Sequence, residues 1–441
     1  MATIAQRELF SWKEVEKLGD LERLDLVLKY LPDEGLMQVL ESERGNQGRN
    51  DYPIRAVWNS ILAGVIYGHE SIESLRRELW RNTRLLWLCG FELSKEERLV
   101  PSAGVYTRFL KKLIKHAHLI EEMFDVLVEE LRRELPDLGQ LLAADGKAIR
   151  SVARSRKDDA HQPDGRRDMD ADWGVKKYWV DEGKNGNRWL KTKKWFGYKL
   201  HLVVDANYEL PVAYQVTKAS EAEQPQALKM VRDLKERHPG IIGSCEHYLG
   251  DKGLDDTKLH TLLWDECQIK PVIDIRNCWK DGEVTRAVES LTNVVYDYKG
   301  TVFCYDMRLG HRHEMAYGGF EAQRGTLKYR CPARHYGCKC HWKSQCEIKQ
   351  AVRIPLSEDR RIFTPVARSS YKWKDFYKKR TAVERVNSRI DGSFGFERHF
   401  IRGQAKMKAR MGMALIVMLS MALGRIKEKQ RSYMRSLLKA A

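Results

Sequence analysis

Asp145 closes the apolar run Leu141-Leu142-Ala143-Ala144 and is followed by Gly146-Lys147. Asp251 follows Tyr248-Leu249-Gly250 and precedes Lys252-Gly253. Glu384 lies in the basic stretch Tyr377-Lys378-Lys379-Arg380-Thr381-Ala382-Val383-Glu384-Arg385. Two strand-end aspartates and a helix glutamate are a donor set for hard divalent cations, which prefer carboxylate oxygens. Two such ions about 4 Å apart, sharing a bridging carboxylate, can drive an in-line attack on phosphorus. Everything else in the chain bears on whether these three acids meet.

The order of elements around them is favourable. From Gly139 onward the pattern reads as a strand over Gln140–Ala144, then a charged insert from Ser151 to Lys194. The alternating, β-branched pair Phe196–Asp205 and Leu210–Thr217 follows as a hairpin. A helix over Gln226–Arg237, the Asp251 strand, a helix over Asp255–Cys267 and the strand Ile269–Ile273 complete the series. That is a mixed sheet with helices on its faces. The order matches an α/β ribonuclease H-like fold, whose first and fourth strands lie parallel and adjacent, so Asp145 and Asp251 should stand side by side. Asp205 and Asp274 compete poorly, since one ends an antiparallel strand and the other an outer strand.

Residues 1–136 read as an all-helical module. Pro53 suits a first helical turn, and Ile54, Val57, Trp58, Ile61, Leu62 and Val65 recur at helical spacing. Ser71 is placed to cap a second helix, and Phe109, Leu110, Leu113, Ile120, Phe124, Leu127 and Leu131 line a third. Arg76, Arg77, Arg81, Arg84, Lys111, Lys112 and Lys115 cluster there, which fits either DNA binding or a helical dimerisation module. The domain reading is 1–136 helical, 137–276 catalytic core, 277–371 a β-rich insertion, and 372–441 the C-terminal helices of the core.

Composition narrows the partner. Against 61 acids the 441-residue chain carries 78 lysines and arginines, a net charge of +17. Such an excess favours a polyanion, because each neutralised phosphate releases condensed counterions. In the Ser151–Lys194 insert, cations including Lys193 and Lys194 alternate with Trp173, Tyr178, Trp179 and Trp189. This mixture suits nucleic-acid strands; a solvated hairpin or loop is the alternative. The opening Met1–Glu8 is polar and has no apolar signal core. The longest apolar run, Met411–Leu423, falls short of the roughly 20 residues that span a bilayer. It reads as a buried core helix. Nine cysteines, an odd number, do not suggest a disulfide framework and fit a reducing cytoplasm.

On Ala144-Asp145-Gly146-Lys147, Gly197-Tyr198-Lys199-Leu200-His201, Gly250-Asp251-Lys252-Gly253 and the Tyr377–Glu384 helix, the chain resembles bacterial insertion-sequence transposases of the DDE type, the group with a Tyr-Arg-Glu-Lys signature helix. The stretch from Pro53 through Phe109 resembles the helical domain that precedes their catalytic core. The resemblance implies Mg²⁺- or Mn²⁺-dependent cleavage and joining of double-stranded DNA at the element's terminal inverted repeats, by a dimer on DNA in the bacterial nucleoid. It implies Asp145, Asp251 and Glu384 as catalytic metal ligands, with Asp145 bridging two ions. Tyr377, Arg380, Lys147, Lys193, Lys194 and Lys252 are the expected DNA contacts.

At about 100° per residue, Tyr377, Arg380, Glu384 and Asp391 fall within about 60° on one helical face. Asp391 stands where the family carries lysine. The insertion holds Cys331, Cys338, Cys340 and Cys346 with two histidines between, a possible zinc site. Two rival readings use the same residues: a ribonuclease H-like nuclease or resolvase without strand transfer, and a domesticated DNA-binding protein that has lost activity.

Overall fold

The computed structural model describes residues 18–44, 52–92, 100–153, 168–182, 187–289 and 291–437, with the side chains of 178–188 outside the description. The opening octapeptide, the polar break before Pro53 and the rings of Tyr178 and Trp179 therefore lie outside the described residues. The chain divides into two units. One comprises Met1–Glu134, Ser151–Asp170 and Ser388–Ala441; the other comprises Leu135–Arg150 and Ala171–Asn387.

The first unit contains α1 (Glu22–Tyr30), α2 (Glu34–Ser42), α3 (Ile54–Ile66), α4 (Ile72–Arg81), α5 (Thr83–Leu88), α6 (Ala103–Lys115) and α7 (Ala117–Glu134). Pro53 sits immediately before α3, and the Ser71 hydroxyl caps α4 by accepting the Ser74 N–H at 3.1 Å. Part of the basic cluster, read as either a DNA-binding or a dimerisation surface, is paired within the unit. Arg76 meets Glu73, Arg81 meets Glu78, and Lys115 meets Glu43.

In the second unit β1 (Leu141–Arg150), β2 (Asp172–Glu182), β3 (Asn187–Asp205) and β4 (Leu210–Lys218) precede α8 (Glu223–Arg237) and α9 (Pro239–Ser244). Then come β5 (His247–Gly250), α10 (Thr257–Thr261) and β6 (Lys270–Ile273). The core strands run in the spatial order β4-β3-β1-β5-β6, with β2 extending β3 outward. This is the ribonuclease H-like arrangement. Leu141 through Ala144 and His247 through Gly250 are wholly buried, as expected of central strands covered on both faces. β1 runs parallel to β5 with Ala144 opposite Gly250.

Two boundaries differ from the sequence reading. β1 does not stop at Ala144, because the 19-residue β3 pairs with it through Arg150. The Ser151–Lys194 insert contributes β2 and the first half of β3, paired from Asp172–Gly197 to Glu182–Asn187. Of the described part of that insert, the hairpin reading is the one the backbone adopts.

The insertion carries two small sheets. β7 (Arg286–Ala287), β8 (Val294–Tyr296), β9 (Val302–Tyr305) and β10 (Arg312–Glu314) form one; β11 (Ala316–Glu321), β12 (Thr326–Arg330) and β13 (Ala351–Pro355) form the other. A short helix α11 (Pro332–His335) follows β12. Val294, Val302, Leu327, Ile354 and Phe363 share one core between the sheets. Asp255 fastens both ends of this insertion. Its buried carboxylate accepts the Arg276 N–H at 2.9 Å on the way in and the Arg361 guanidinium at 2.8 Å on the way out.

The chain finishes with α12 (Tyr371–Lys378), α13 (Thr381–Phe394) and α14 (Gln404–Lys427). The expected single helix through Tyr377 and Glu384 is two. Lys379, Arg380, Ala382 and Val383 each bond the carbonyl three residues back, a tighter winding that turns the chain at Lys379–Arg380. The C-terminal segment also groups differently from the expected catalytic core. α14 packs on α7, α1, α3 and α6 and belongs with the helical unit. It is longer than the apolar run Met411–Leu423. By length and composition it could cross a bilayer, yet 89% of its most apolar window is buried inside the protein. Asp168 and Asp170 accept the Gly403 and Gln404 N–H groups at its start.

Replacing Asp255 with Ala should strand the buried Arg361 charge and loosen both ends of the insertion, costing about 3–5 kcal/mol. Its neighbour Asp256 only caps α10, through the Leu259 N–H, so Asp256→Ala should cost about 1 kcal/mol. Denaturant unfolding of the two variants checks the difference; equal losses would refute the clamp.

Candidate active site

The register of the two parallel strands determines where the aspartates go. Ala144 lies opposite Gly250, so the next residues, Asp145 and Asp251, emerge side by side where β5 ends. The Asp145 carboxylate accepts its neighbour's N–H (Gly146, 2.8 Å), and Asp251 accepts that of Gly253 at 2.7 Å. Burial pushes Asp145 up to about 6, and the negative charge of Asp251 adds to the effect. Lys176 on β2 works in the opposite sense, and its Nζ lies 3.9 Å from Asp251.

A third carboxylate shares this space, and the sequence reading missed it. Glu223 opens α8, three residues before the expected helix start, and its side chain reaches back to the strand ends. A Cβ added at Gly146 would meet the Glu223 Oε1 at 2.7 Å. One added at Gly253 would meet both Glu223 Oε2 and, at 2.7 Å, Asp251 Oδ1. The Glu223 carboxylate occupies the space that a side chain at Gly146 would need, and at Gly253 it shares that space with the Asp251 carboxylate. Burial raises the Glu223 pKa, and nearby Lys199, with its Nζ 3.8 Å from Oε1, lowers it. Lys199 is itself buried and donates to the Glu221 carbonyl at 2.7 Å. In the sequence Glu223 looks like any acid at a helix start. Only the two glycines hinted at a neighbour.

Glu384 is less enclosed, with half of its side chain exposed. It reaches the aspartates through Arg380, whose guanidinium lies 2.8 Å from the Glu384 carboxylate. Against the cost of burial, Tyr377, Glu384 and Asp145 together hold Arg380 protonated. Tyr377 stacks on Trp373 at 4.6 Å; burial raises its pKa, as do the charges of Asp274 and Asp251. The α12–α13 turn therefore brings Tyr377 and Arg380 within electrostatic reach of Asp251 and Asp145, while the direct partner of Glu384 is Arg380. Asp391 lies seven residues further along α13.

The expected DNA contacts are dispersed around this centre. Lys193 and Lys194 are exposed on β3, opposite Lys176 and Val175 of β2. Lys252 is exposed beside Asp274 at 3.5 Å, and Lys147 lies on β1 two residues past Asp145. Trp173 and Trp189 present exposed rings on the same hairpin. Asp205 is structural: it is fully buried and accepts the N–H groups of Gly139, Asn207 and Tyr208. In the insertion, Cys338 is exposed, whereas Cys331, Cys340 and Cys346 line a small cavity with Cys304.

The donor set fits hard divalent cations. Asp145, Asp251 and Glu223 offer carboxylate oxygens, and the strain of their mutual repulsion is what a cation would relieve. Among the described residues no group of three or more His, Cys, Asp or Glu side chains is drawn together tightly enough to grip an ion as it stands. A ribonuclease H-like sheet with paired aspartates where the pairing of its two central parallel strands ends defines a class of divalent-metal phosphodiester enzymes. The model of the transposase DDE domain family matches residues 139–420, and the chain belongs to that family. A second transposase domain model, DUF772, matches residues 12–112.

No curated protein matches the chain. Among solved structures, one titled "Cryo-EM structure of piggyBac transposase synaptic complex with hairpin DNA (SNHP)" matches at 11% identity and a TM-score of 0.38, over 98% of this chain and 80% of that one. That likeness is too loose to transfer anything. Membership in the family makes the protein a DNA-cleaving and transesterifying enzyme that uses divalent metal ions, with DNA as its partner.

The raised Asp145 has a consequence for stability. Between pH 3.8 and about 6 the folded chain binds a proton there that the unfolded chain releases. This contribution to stability therefore falls as pH rises through that window and stays low above it. In metal-free protein at pH 7.5, Asp145→Asn should raise the melting temperature, with the advantage vanishing below about pH 4. Thermal scans of both proteins across pH check this; a variant that melts lower at pH 7.5 would contradict the crowded-carboxylate geometry.

Proposed function

We propose that this transposase cleaves DNA at the terminal inverted repeats of an insertion sequence and joins the freed 3′-hydroxyl to target DNA. The observation that carries this reading is the adjacent pair Asp145 and Asp251 where the parallel pairing of β1 and β5 ends, with Asp145 desolvated and facing the charge of Asp251. Asp145, Asp251 and Glu384 are the residues assigned to hold Mg²⁺ or Mn²⁺, with Glu223 as an additional carboxylate. When bound, such ions activate the attacking oxygen and stabilise charge on the leaving oxygen.

This chain's own residues supply the rest. Arg380, kept protonated between Glu384 and Asp145, offers a guanidinium that suits a phosphate and orients Glu384. Lys176, near Asp251, offsets part of the negative charge and can follow the DNA backbone from the hairpin. Lys193, Lys194, Lys147 and Lys252 extend the positive surface, and Trp173 and Trp189 supply stacking faces. Tyr377 is held in place by stacking on Trp373 of the same helix. Because two element ends have to be brought together, the active form is a dimer on DNA, working in the bacterial nucleoid.

Asp145→Ala should abolish both cleavage and strand transfer on oligonucleotides carrying the terminal repeats, while retaining their binding in a mobility-shift assay. Precleaved ends separate this reading from a nuclease or resolvase: product joined to target is expected, and hydrolysis alone would remove the strand-transfer claim. Glu223→Gln should shift the half-saturating Mg²⁺ concentration upward by about 10–100-fold, with cleavage largely restored at high metal. Loss of cleavage at every metal concentration, in a variant that still binds DNA, would instead rule out a metal-positioning role for Glu223.

A further inference from the structure

The segment from Arg334 to Gln350 is hard to account for by packing. It has no strand and only the end of α11, and Ile348 is the single buried residue within it. A stretch of this length with so little apolar anchorage needs another staple. Asp306, itself buried, supplies one anchor point, accepting the His341 N–H at 2.6 Å and meeting the His341 Nδ1 at 3.2 Å. That alone does not explain why Cys340 and Cys346 turn inward.

Both line a cavity of about 20 Å³ together with Cys304 and Cys331. Cys304 lies on β9, where it pairs with Val294 of β8 on one side and His313 of β10 on the other. Cys331 directly follows β12 and is tied to the far end of the loop, its N–H bonding the Gln350 carbonyl at 2.9 Å. Two thiols are thus carried by the two sheets and two by the loop. All four are free thiols. His313 Nε2 also faces this cavity, buried and without a hydrogen-bond partner, and Asn293 Nδ2 donates to Cys346 Sγ at 3.4 Å.

We infer that Cys304, Cys331, Cys340 and Cys346 form a tetrathiolate site for one structural zinc ion that pins the Arg334–Gln350 loop to both sheets of the insertion. Four thiolates suit a closed, tetrahedral zinc site. The sulfurs line the cavity without yet standing at coordination spacing. Closing the set falls to Cys340 and Cys346, whose backbone is irregular, while Cys304 and Cys331 are fixed at sheet positions. On binding, zinc takes the place of the thiol protons, which leave to solvent, and no oxidation is involved. His313 and Asn293 then donate N–H groups to the sulfurs, the supporting contacts that thiolate sites generally need. Cys338, nearer in sequence, is exposed and outside the site.

The test uses the full chain expressed with zinc supplementation and metal analysis of the purified protein. About one zinc per chain is expected for the unaltered protein and for Cys338→Ser, and below about a tenth for Cys304→Ser and Cys340→Ser. Because Cys304→Ser could fail to fold, native alkylation of the unaltered protein gives a second measure. Cys338 should react with iodoacetamide while Cys340 and Cys346 are protected, and a strong zinc chelator should remove that protection. Three results would overturn the site: no stoichiometric zinc in the unaltered chain, equal loss of zinc in Cys338→Ser and Cys304→Ser, or alkylation of Cys340 unaffected by chelator.

Discussion

Two neighbouring strands running in the same direction bring two carboxylates to one place, and most of what is distinctive about the second unit answers the electrostatic cost of doing so. With Ala144 opposite Gly250, Asp145 and Asp251 have no alternative to emerging together. Their proximity in a poorly solvated spot is unfavourable for the charged forms, as the raised Asp145 shows. Around them the chain places partial compensation. Backbone N–H groups reach each aspartate, Lys176 approaches from the β2–β3 hairpin, and Arg380 arrives from the turn between α12 and α13. Full compensation would defeat the purpose, because a site that binds cations has to keep unsatisfied negative charge in reserve.

The same economy explains the small residues of the two aspartate motifs. Asp145-Gly146 and Asp251-Lys252-Gly253 look like ordinary turn sequences. In the folded protein their glycines leave room for the Glu223 carboxylate, which descends from the start of α8 between the strand ends. Gly146 and Gly253 are therefore read more accurately as the imprint of a third acid than as devices for bending the chain. A charge pair built for function is supported by structural ion pairs nearby. Asp255 and Arg361, both buried, clamp the insertion to the core.

Much of this was legible in the residues. The apolar runs ending in Asp145 and Asp251, the hairpin of Phe196–Thr217 and the alternation of strands and helices were enough to order the sheet and to set Asp205 aside. What misled was continuity. A helical wheel treats Tyr377 through Asp391 as one rod, yet three-residue hydrogen bonds at Lys379–Arg380 break it into two. The apolar run Met411–Leu423 understated α14, whose ends are polar residues facing acids such as Glu121 and Glu134. Sequence proximity drew Cys338 into the cysteine group and left Cys304 out, since a residue on a different sheet gives no local sign of its neighbours.

What the sequence determined by itself is whatever depends on local pattern: which segments become strands, which become helices, and which acids end buried runs. Those properties follow from backbone preference and the period of apolar residues, interactions that act over a few positions. What only the tertiary structure decided is which charged groups meet. Glu223 joins Asp145 across 78 positions, Arg361 joins Asp255 across 106, and α14 sides with the helical unit rather than with the sheet that precedes it. Such encounters are decided by strand register and by helix packing over the whole chain, and electrostatic coupling depends on the resulting distances, which no run of neighbouring residues encodes.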